Sequence, residues 1–194
     1  MNRVADVLVA GAGLVLTSPF LGLAALATKL EDGGPVFYRQ TRVGKGGEDF
    51  DVLKLRSMVV GAESLGAGYT VDEGDARITR VGRVLRRTSI DELPQLWNVL
   101  RGDMSVIGPR PTLRYQVEQY DEHQRRRLDV RPGLTGWAQI HGRASLPWAE
   151  RIELDVWYVD HRSPRIDLEI LLRTPLALFR GTYRGAKGGW RPGS

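Results

Sequence analysis

The stretch "VLVAGAGLVLTSPFLGLAALAT", residues 7–28, carries no charged side chain over 22 residues. A helix of about 20 apolar residues is long enough to cross the hydrocarbon core of a bilayer. Three interpretations follow from this segment. It is a cleavable signal peptide with Arg3 before it and "ALA" at residues 25–27, a transmembrane anchor, or a helix that enters the membrane, bends and returns to the same side.

Ser18 and Pro19 lie near the middle of this segment. Pro19 has no N–H to donate to the carbonyl of Val15, and the Ser18 hydroxyl is expected to bond back to the carbonyl of Leu14. Both effects predict a bend, although membrane helices also tolerate a simple kink. Positive residues flank the segment on both sides, which favours two cytoplasmic ends. The residues alone leave the re-entrant, spanning and signal interpretations open.

The composition limits the rest of the chain to one basic domain. It has 194 residues, a net charge of +5, and 24 Arg against 4 Lys. The arginine bias reflects either genome composition or guanidinium groups for binding phosphate. There is no cysteine, which excludes disulfides and thiolate metal sites, and three scattered histidines argue against zinc.

After residue 30 the sequence predicts a β-hairpin and a basic helix. Residues 36–40 and 50–55 are typical of strands and enclose the glycine-rich turn "GKGG". Lys54, near the end of the second strand, either points into a site or is a solvated edge charge. The stretch "ITRVGRVLRRTS" has apolar residues at helical spacing, and its arginines either face an anionic membrane surface or, at Arg86 and Arg87, face the acids that follow.

The stretch "TSIDELPQLW", residues 88–97, places Asp91 and Glu92 side by side. Ser89 and Glu92 match a helix capping box. Pro94 instead disfavours α geometry at Leu93, which predicts a turn before a helix over residues 94–100. In either case the acids lie at a helix N-terminus close to arginines, and a lowered pKa is expected for both. Capping and chemistry remain equally open from the residues alone.

The remaining charged candidates lie further along the chain. Arg110 stands between two prolines, and "VRPGLTGWAQIHGR" is a glycine-rich loop that ends at Arg143 and can cradle phosphates through its backbone. Asp155 and Asp167 are carboxylates that could bind a divalent cation or simply be solvated. The C-terminal stretch "LEILLRTPLALFRGTYR" suits the membrane interface or a packed helix equally well.

Taken together and in this order, the motifs resemble those of the monotopic phosphoglycosyl transferases, which are bacterial sugar transferases. The matching stretches are the apolar segment with Ser18-Pro19, "GPVFYRQTRVG", "LKLRSM", "RRTSIDELPQLWNVLRGDMSVIGPRP", "RPGLTGWAQIHGR" and "LDVWYVDHRSPRIDLEIL". The resemblance covers about residues 2–180 and suggests the small form that has only the catalytic domain.

The resemblance implies an α+β fold, with a helix-associated β-hairpin body, a re-entrant membrane helix and interfacial amphipathic helices. It implies a re-entrant helix over residues 1–30 that is broken at Ser18-Pro19, a catalytic domain over residues 31–180, and a flexible Gly/Arg tail over residues 181–194. It also implies transfer of a sugar 1-phosphate from a UDP-sugar to undecaprenyl or another polyprenyl phosphate, with release of UMP and a covalent intermediate on Asp91.

By the same resemblance, Glu92 assists catalysis and Mg²⁺ binds at Asp91 and Asp155. The residues matched to the substrate phosphates or nucleotide are Lys54, Arg86, Arg110, Arg143 and Asp167.

The implied partners are the donor, the lipid acceptor and the lipids of the bacterial inner membrane, with the catalytic domain facing the cytoplasm and no nucleic acid bound. Whether the chain forms a homodimer is left open, as is the identity of the sugar. The alternative hypothesis is a membrane-anchored basic module that binds nucleic acid or anionic lipid.

Overall fold

The computed structural model describes residues 2–65, 71, 74–142 and 146–179 of the chain. Within them the fold mixes helices and short strands. The helices are α1 (Arg3–Asp32), α2 (Arg80–Thr88), α3 (Gln95–Arg101), α4 (Arg114–Val117), α5 (Glu122–Arg125), α6 (Trp137–Ile140), α7 (Trp148–His161) and α8 (Pro164–Phe179). The strands are β1 (Phe37–Val43), β2 (Asp49–Leu55), β3 (Ser105–Ile107) and β4 (Gly133–Thr135). The C-terminal tail predicted for residues 181–194 lies outside the described residues.

Helix α1 runs through Pro19 without interruption from Arg3 to Asp32. The Ser18 hydroxyl donates to the carbonyl of Val15 at 2.8 Å. The prediction that the Leu14 carbonyl accepts this hydrogen bond is therefore wrong. The carbonyl of Val15 is the one that loses its backbone donor to the proline ring, so the neighbouring hydroxyl supplies the missing hydrogen bond. This local repair allows an apolar helix to carry a proline in its middle.

The N-terminal end of α1 is bound to the body of the protein. Asp6 is 1% exposed and accepts hydrogen bonds from the Ser105 hydroxyl at 2.8 Å and the Val106 amide at 2.9 Å. Arg3 donates to the carbonyls of Val99 and Leu100 at the end of α3. A cation at the C-terminal end of a helix complements the helix dipole. The first turns of α1 are therefore fixed to α3 and β3.

The C-terminal end of α1 is bound to the same body. The Glu31 carboxylate accepts hydrogen bonds from the backbone amides of Arg80 and Val81, at 2.7 and 3.2 Å, at the start of α2. Asp32 forms a two-pronged ion pair with Arg56, whose guanidinium is buried, at 2.5 and 2.6 Å. Residues at both ends of α1, about 40 Å apart along an ideal helix, thus contact one domain.

The outward face of α1 is apolar along its whole length. This helix alone, in the described part of the chain, is long and apolar enough to cross a membrane by length and composition. Its exposed large side chains are Val4, Val7, Leu8, Val9, Val15, Leu16, Phe20, Leu23, Leu26 and Leu30. Helix α8 likewise buries Ile170 while exposing Leu168, Leu172 and Leu176, so it is both a packed helix and an amphipathic one.

Strands β1 and β2 form an antiparallel hairpin from Phe37 opposite Leu55 to Val43 opposite Asp49. Gly46 and Gly47 adopt positive φ angles of 69° and 82° in its turn, a conformation that glycine reaches without strain. Strands β3 and β4 form a separate parallel pair. The central core joins α1, α3, β3, α7 and α8, and the hairpin is connected to α3 by the buried Asn98, which bonds to the backbone of both Asp51 and Leu53.

Candidate active site

The two adjacent acids lie on a tight turn between α2 and α3. Ser89 ends α2 with φ 58° and ψ 19°, a left-handed conformation, and residues Ile90–Glu92 form a single 3₁₀ turn. The Ser89 side chain makes no capping hydrogen bond, so the predicted capping box is wrong. Leu93 has helical angles, with φ -57° and ψ -33°, so the expectation that Pro94 disfavours α geometry there is also wrong. The chain changes direction at Ser89 instead, which turns both acids away from a regular helix surface.

Glu92 is held by two cations. Its Oε1 accepts from Lys54 Nζ at 3.1 Å, and its Oε2 accepts from Arg110 Nη1 at 3.2 Å while Nη2 of Arg110 donates to Oε1. Burial would raise the pKa of Glu92, but Arg110 and Lys54 outweigh it and hold that pKa well below its usual value. Glu92 is therefore an ionised anchor that fixes both cations.

Asp91 differs sharply from its neighbour. It is 7% exposed, and among the described residues neither of its carboxylate oxygens has a hydrogen-bond or ion-pair partner. Burial and the adjacent charge of Glu92 raise the pKa of Asp91 to about 6, although Lys54, Arg86 and Arg110 lie close enough to oppose the shift. The prediction of a lowered pKa is thus wrong for Asp91, because burial and its anionic neighbour prevail over the arginines.

Both acids face a cavity of about 660 Å³, a volume typical of small-molecule sites. The predicted residues Lys54, Arg86, Arg110 and Asp155 line the same cavity. Burial lowers the pKa of Lys54, so its ammonium is held in a poorly hydrated position. The structure therefore brings Asp91, whose carboxylate has no partner among the described residues, to the same cavity as Lys54, Arg86 and Arg110.

Residues that the sequence analysis did not single out also line this cavity. Gln40 and Arg42 lie two residues apart on the same face of β1. Arg127 and Gln139 reach the cavity from other parts of the chain. Burial, followed by the charge of Arg110, lowers the pKa of Arg42 to about 10. The period-two polar pattern of "YRQTR" could have indicated the β1 residues. No local pattern could have indicated Arg127 or Gln139, because their position depends on the tertiary fold.

Asp155 lies in the cavity wall as half of a buried ion pair. Its Oδ2 accepts from Arg127 Nη2 at 2.5 Å, and both side chains are 4% exposed. Its Oδ1 is buried and has no hydrogen-bond partner among the described residues. Burial raises the pKa of Asp155 to about 6, against the effect of Arg127 and Arg151. Of the two carboxylate oxygens of Asp155, the predicted metal ligand, Oδ2 is thus paired with Arg127, and only Oδ1 lacks a hydrogen bond within the described residues.

Two predicted residues are not brought to this wall. Asp167 accepts a hydrogen bond from the Tyr158 hydroxyl at 2.8 Å, between α7 and α8, and does not belong to the described lining of the cavity. Arg143 lies outside the described residues. In the described part of the chain, no cluster of three or more His, Cys, Asp or Glu side chains could hold a metal ion.

Known proteins resemble this chain over almost its full length. A family model described as bacterial sugar transferase matches residues 1–181. An uncharacterised sugar transferase of Bacillus subtilis is 45% identical over 90% of this chain and 85% of its own length. The UDP-glucose:undecaprenyl-phosphate glucose-1-phosphate transferase of Caulobacter vibrioides is 47% identical over 92% of this chain and 69% of its own. A UDP-N-acetylgalactosamine-undecaprenyl-phosphate N-acetylgalactosaminephosphotransferase of Aeromonas hydrophila is 44% identical over 93% of this chain and 44% of its own.

Proposed function

The chain belongs to the bacterial sugar transferase family, and on that premise we propose that it transfers a sugar 1-phosphate from a UDP-sugar to undecaprenyl or another polyprenyl phosphate. UMP is the second product. The names of the relatives from Caulobacter vibrioides and Aeromonas hydrophila support both the donor class and the acceptor. The reaction would be the first membrane step in building a glycoconjugate such as an exopolysaccharide.

The observation that carries this proposal is the state of Asp91. A buried carboxylate without a partner is costly, and this one faces a cavity beside Lys54, Arg86 and Arg110. Carboxylates are established covalent nucleophiles towards phosphoryl groups. Asp91 is therefore positioned to attack a phosphorus atom whose negative oxygens are neutralised by the surrounding cations.

The proposed reaction has two displacements. In the first, an Asp91 carboxylate oxygen attacks the β-phosphorus of the donor, and the bond to the bridging oxygen breaks so that UMP leaves with the electron pair. In the second, a phosphate oxygen of the polyprenyl phosphate attacks the same phosphorus and displaces Asp91. The product is a polyprenyl diphosphate sugar, and the carboxylate is regenerated without any net oxidation or reduction.

Glu92 has a different role from Asp91 in this scheme. Both carboxylate oxygens of Glu92 already accept hydrogen bonds from Lys54 or Arg110. These two cations also compensate its negative charge. Glu92 fixes the two cations so that they are oriented before the substrate arrives. Preorganised cations stabilise the charge of a phosphoryl-transfer transition state without reorganising during the reaction.

A magnesium ion fits the residues present. Mg²⁺ in phosphoryl-transfer sites is usually held by one or two carboxylates together with substrate phosphates. Asp91 and Asp155 line the same cavity, and Oδ1 of Asp155 has no hydrogen-bond partner within the described residues. These two carboxylates are the groups that would hold the ion. When bound, the ion would neutralise the diphosphate and favour departure of UMP.

The anchoring of α1 supports a monotopic arrangement at the cytoplasmic face of the inner membrane. Asp6 and Glu31 bind opposite ends of α1 to one domain. A helix that crossed the bilayer alone would carry one of its ends away from the domain, whereas both ends of the uninterrupted α1 contact it. A lipid acceptor would then meet the cavity at headgroup depth. The cavity is lined in part by the apolar residues Phe37, Val59 and Val60.

Membrane topology can be tested separately, because the chain has no native cysteine. Asn2→Cys and Lys45→Cys place one exposed thiol on each side of α1. In intact spheroplasts, both thiols should be shielded from an impermeant maleimide and should react after permeabilisation. Labelling of only one of them in intact cells would indicate a spanning helix.

The alternative of a basic binding module is disfavoured by the site. Binding of nucleic acid or lipid by charge does not account for the contacts of Lys54 and Arg110 with Glu92 beside the buried Asp91. UMP release separates the two functions. The protein in nanodiscs should release UMP from a suitable UDP-sugar only when polyprenyl phosphate is added in turnover amounts. Multiple-turnover release at the same rate without the acceptor would indicate a hydrolase instead, and absence of release with every UDP-sugar tested would contradict the proposal.

A further inference from the structure

Gln139, in the four-residue helix α6, is a buried polar side chain whose amide is unpaired within the described part of the chain. It is 7% exposed, and neither Oε1 nor Nε2 has a hydrogen-bond partner among the described residues. Its side chain lines the same cavity as Asp91. Leaving a buried donor or acceptor without a partner costs about 1–3 kcal/mol for each group. A ligand that pairs with both groups of the amide would remove this cost.

The local backbone leaves room for this amide. A Cβ added at Gly136 would lie 2.9 Å from Gln139 Oε1 and 2.2 Å from the carbonyl oxygen of Gly108. Glycine at position 136 thus permits close contact between the loop before α6 and the loop that leads to Arg110. The amide is held beside that loop, and Asp155 Oδ1 is a second unpartnered oxygen in the lining of the same cavity. This part of the lining therefore contains three buried polar atoms that have no hydrogen-bond partner among the described residues.

We propose that Gln139 recognises the base of the donor, by pairing its side-chain amide with the imide edge of uracil. Oε1 would accept from N3–H of the base, and Nε2 would donate to an adjacent carbonyl oxygen. The inference rests on the proposed function, because it takes the donor to be a UDP-sugar. A planar amide has one donor beside one acceptor, and a uracil edge satisfies both at once.

A chain of contacts that leads from Gln139 to Glu92 favours the base over the transferred sugar. Gln139 lies by Gly136, which touches Gly108, and Arg110 follows two residues later and contacts Glu92. The donor has the same order, with the base, then the phosphates, then the reacting phosphorus and its sugar. If the phosphates lie at Arg110 and the reacting phosphorus at Asp91, the base end of the molecule reaches Gln139.

The test uses Gln139→Met, which keeps the approximate volume and removes both polar groups. The matched control is Gln95→Met, because Gln95 is 2% exposed, has an unpartnered Nε2 and lies outside the described cavity lining. UMP is the probe of base binding, since it carries no sugar. Pyrophosphate is the probe of the phosphate site, since it carries no base. Inhibition constants for both probes and the melting temperature are measured for the full chain in nanodiscs.

Gln139→Met should weaken inhibition by UMP about 10- to 100-fold, as expected for two lost hydrogen bonds. Inhibition by pyrophosphate should not change. The melting temperature should stay the same or rise, because the substitution removes the cost of burying an unsatisfied amide. Gln95→Met should leave UMP inhibition unchanged. UMP inhibition within threefold of wild type, or an equal loss for pyrophosphate, would overturn the inference while the transferase function stands. A wild-type protein that fails to bind UMP would overturn both.

Discussion

Asp6 in α1 and Asp91 in the cavity are both buried carboxylates, 1% and 7% exposed respectively, but their surroundings are opposite. Asp6 accepts hydrogen bonds from Ser105 and Val106 and joins α1 to β3. Asp91 has no such partner among the described residues and faces a cavity. A buried acid with partners stabilises the fold, whereas one without partners is retained at a cost in stability. The comparison predicts that substitution of Asp6 reduces stability and substitution of Asp91 reduces activity.

The largest effect is expected for Asp91→Asn. The amide cannot act as the nucleophile, so kcat should fall by at least about 10⁴-fold, as for other covalent nucleophiles. The melting temperature should not fall, because no hydrogen bond is lost. UMP release by protein in nanodiscs and differential scanning fluorimetry measure the two quantities. A variant that loses activity only because it unfolds would remove the contrast with Asp6.

A smaller loss of activity is expected for Arg110→Met. This change removes a cation from the cavity and leaves Glu92 with Lys54 alone. Loss of one charged donor at a transition state typically costs about 10²- to 10³-fold in kcat. Arg110→Lys should recover only part of the activity, since an ammonium cannot make the two-pronged contact with Glu92. Full activity of Arg110→Met under saturating donor would contradict a role for this cation in the reaction.

Substitution at the other buried acid should act on stability. Asp6→Ala leaves the Ser105 hydroxyl and the Val106 amide buried without an acceptor, and about 2–4 kcal/mol of unfolding free energy should be lost. The matched control is Arg114→Gln, which breaks an exposed ion pair with Asp49 and should cost less than about 1 kcal/mol. Chemical denaturation in detergent measures both. Equal effects of the two substitutions would mean that Asp6 does not anchor α1.

The smallest effect concerns pH. Because burial and Glu92 raise the pKa of Asp91 to about 6, the nucleophile is protonated below that value, and the rate of the first displacement should be about tenfold lower at pH 5 than at pH 7. Stability should change in the opposite direction to activity. Because the pKa of Asp91 is higher in the folded protein than in the unfolded chain, the folded state loses stability as the pH rises from about 4 to about 6.

Asp91→Asn removes this penalty, so the variant should be more stable than wild type at pH 8 and should lose that advantage near pH 4. Single-turnover rates and melting temperatures across this range check the two signs. An activity that stays constant down to pH 4.5 would show that Asp91 remains ionised.

The parts of the site that depend on local sequence were predictable, and those that depend on burial were not. The order of motifs indicated the family, and Lys54, Arg86 and Arg110 were predicted as the cations that lie near the acid pair. The left-handed conformation of Ser89 was missed because serine rarely adopts it and because the capping-box pattern offered a local alternative. The raised pKa of Asp91 was missed because burial is a property of the fold.

The N-terminal apolar helix, the basic helix α2, the helix α3 after Pro94 and the first hairpin were likewise predictable from composition, periodicity and turn residues. The stretch at residues 130–143 was predicted as a glycine-rich loop, whereas it contains β4 and α6. The parallel pairing of β3 with β4 was not predictable, because strands of three residues carry too little pattern to reveal a partner. The pairing of Asp167 with Tyr158 and of Asp155 with Arg127 also joins residues whose spacing gives no sign of contact. No local sequence pattern indicates Gln139, which is distinguished only by its burial and by the lack of a partner within the described part of the structure.

The most direct test of the account is whether Asp91 becomes covalently modified. The protein in nanodiscs is incubated with a UDP-sugar labelled at the β-phosphorus in the absence of a lipid acceptor, and the labelled peptide is identified by mass spectrometry. The account predicts label on Asp91 alone, its removal when polyprenyl phosphate is added, and no label on the Asp91→Asn variant. Label on another residue, or a labelled adduct that persists in the Asp91→Asn variant, would contradict the assignment of Asp91 as the nucleophile.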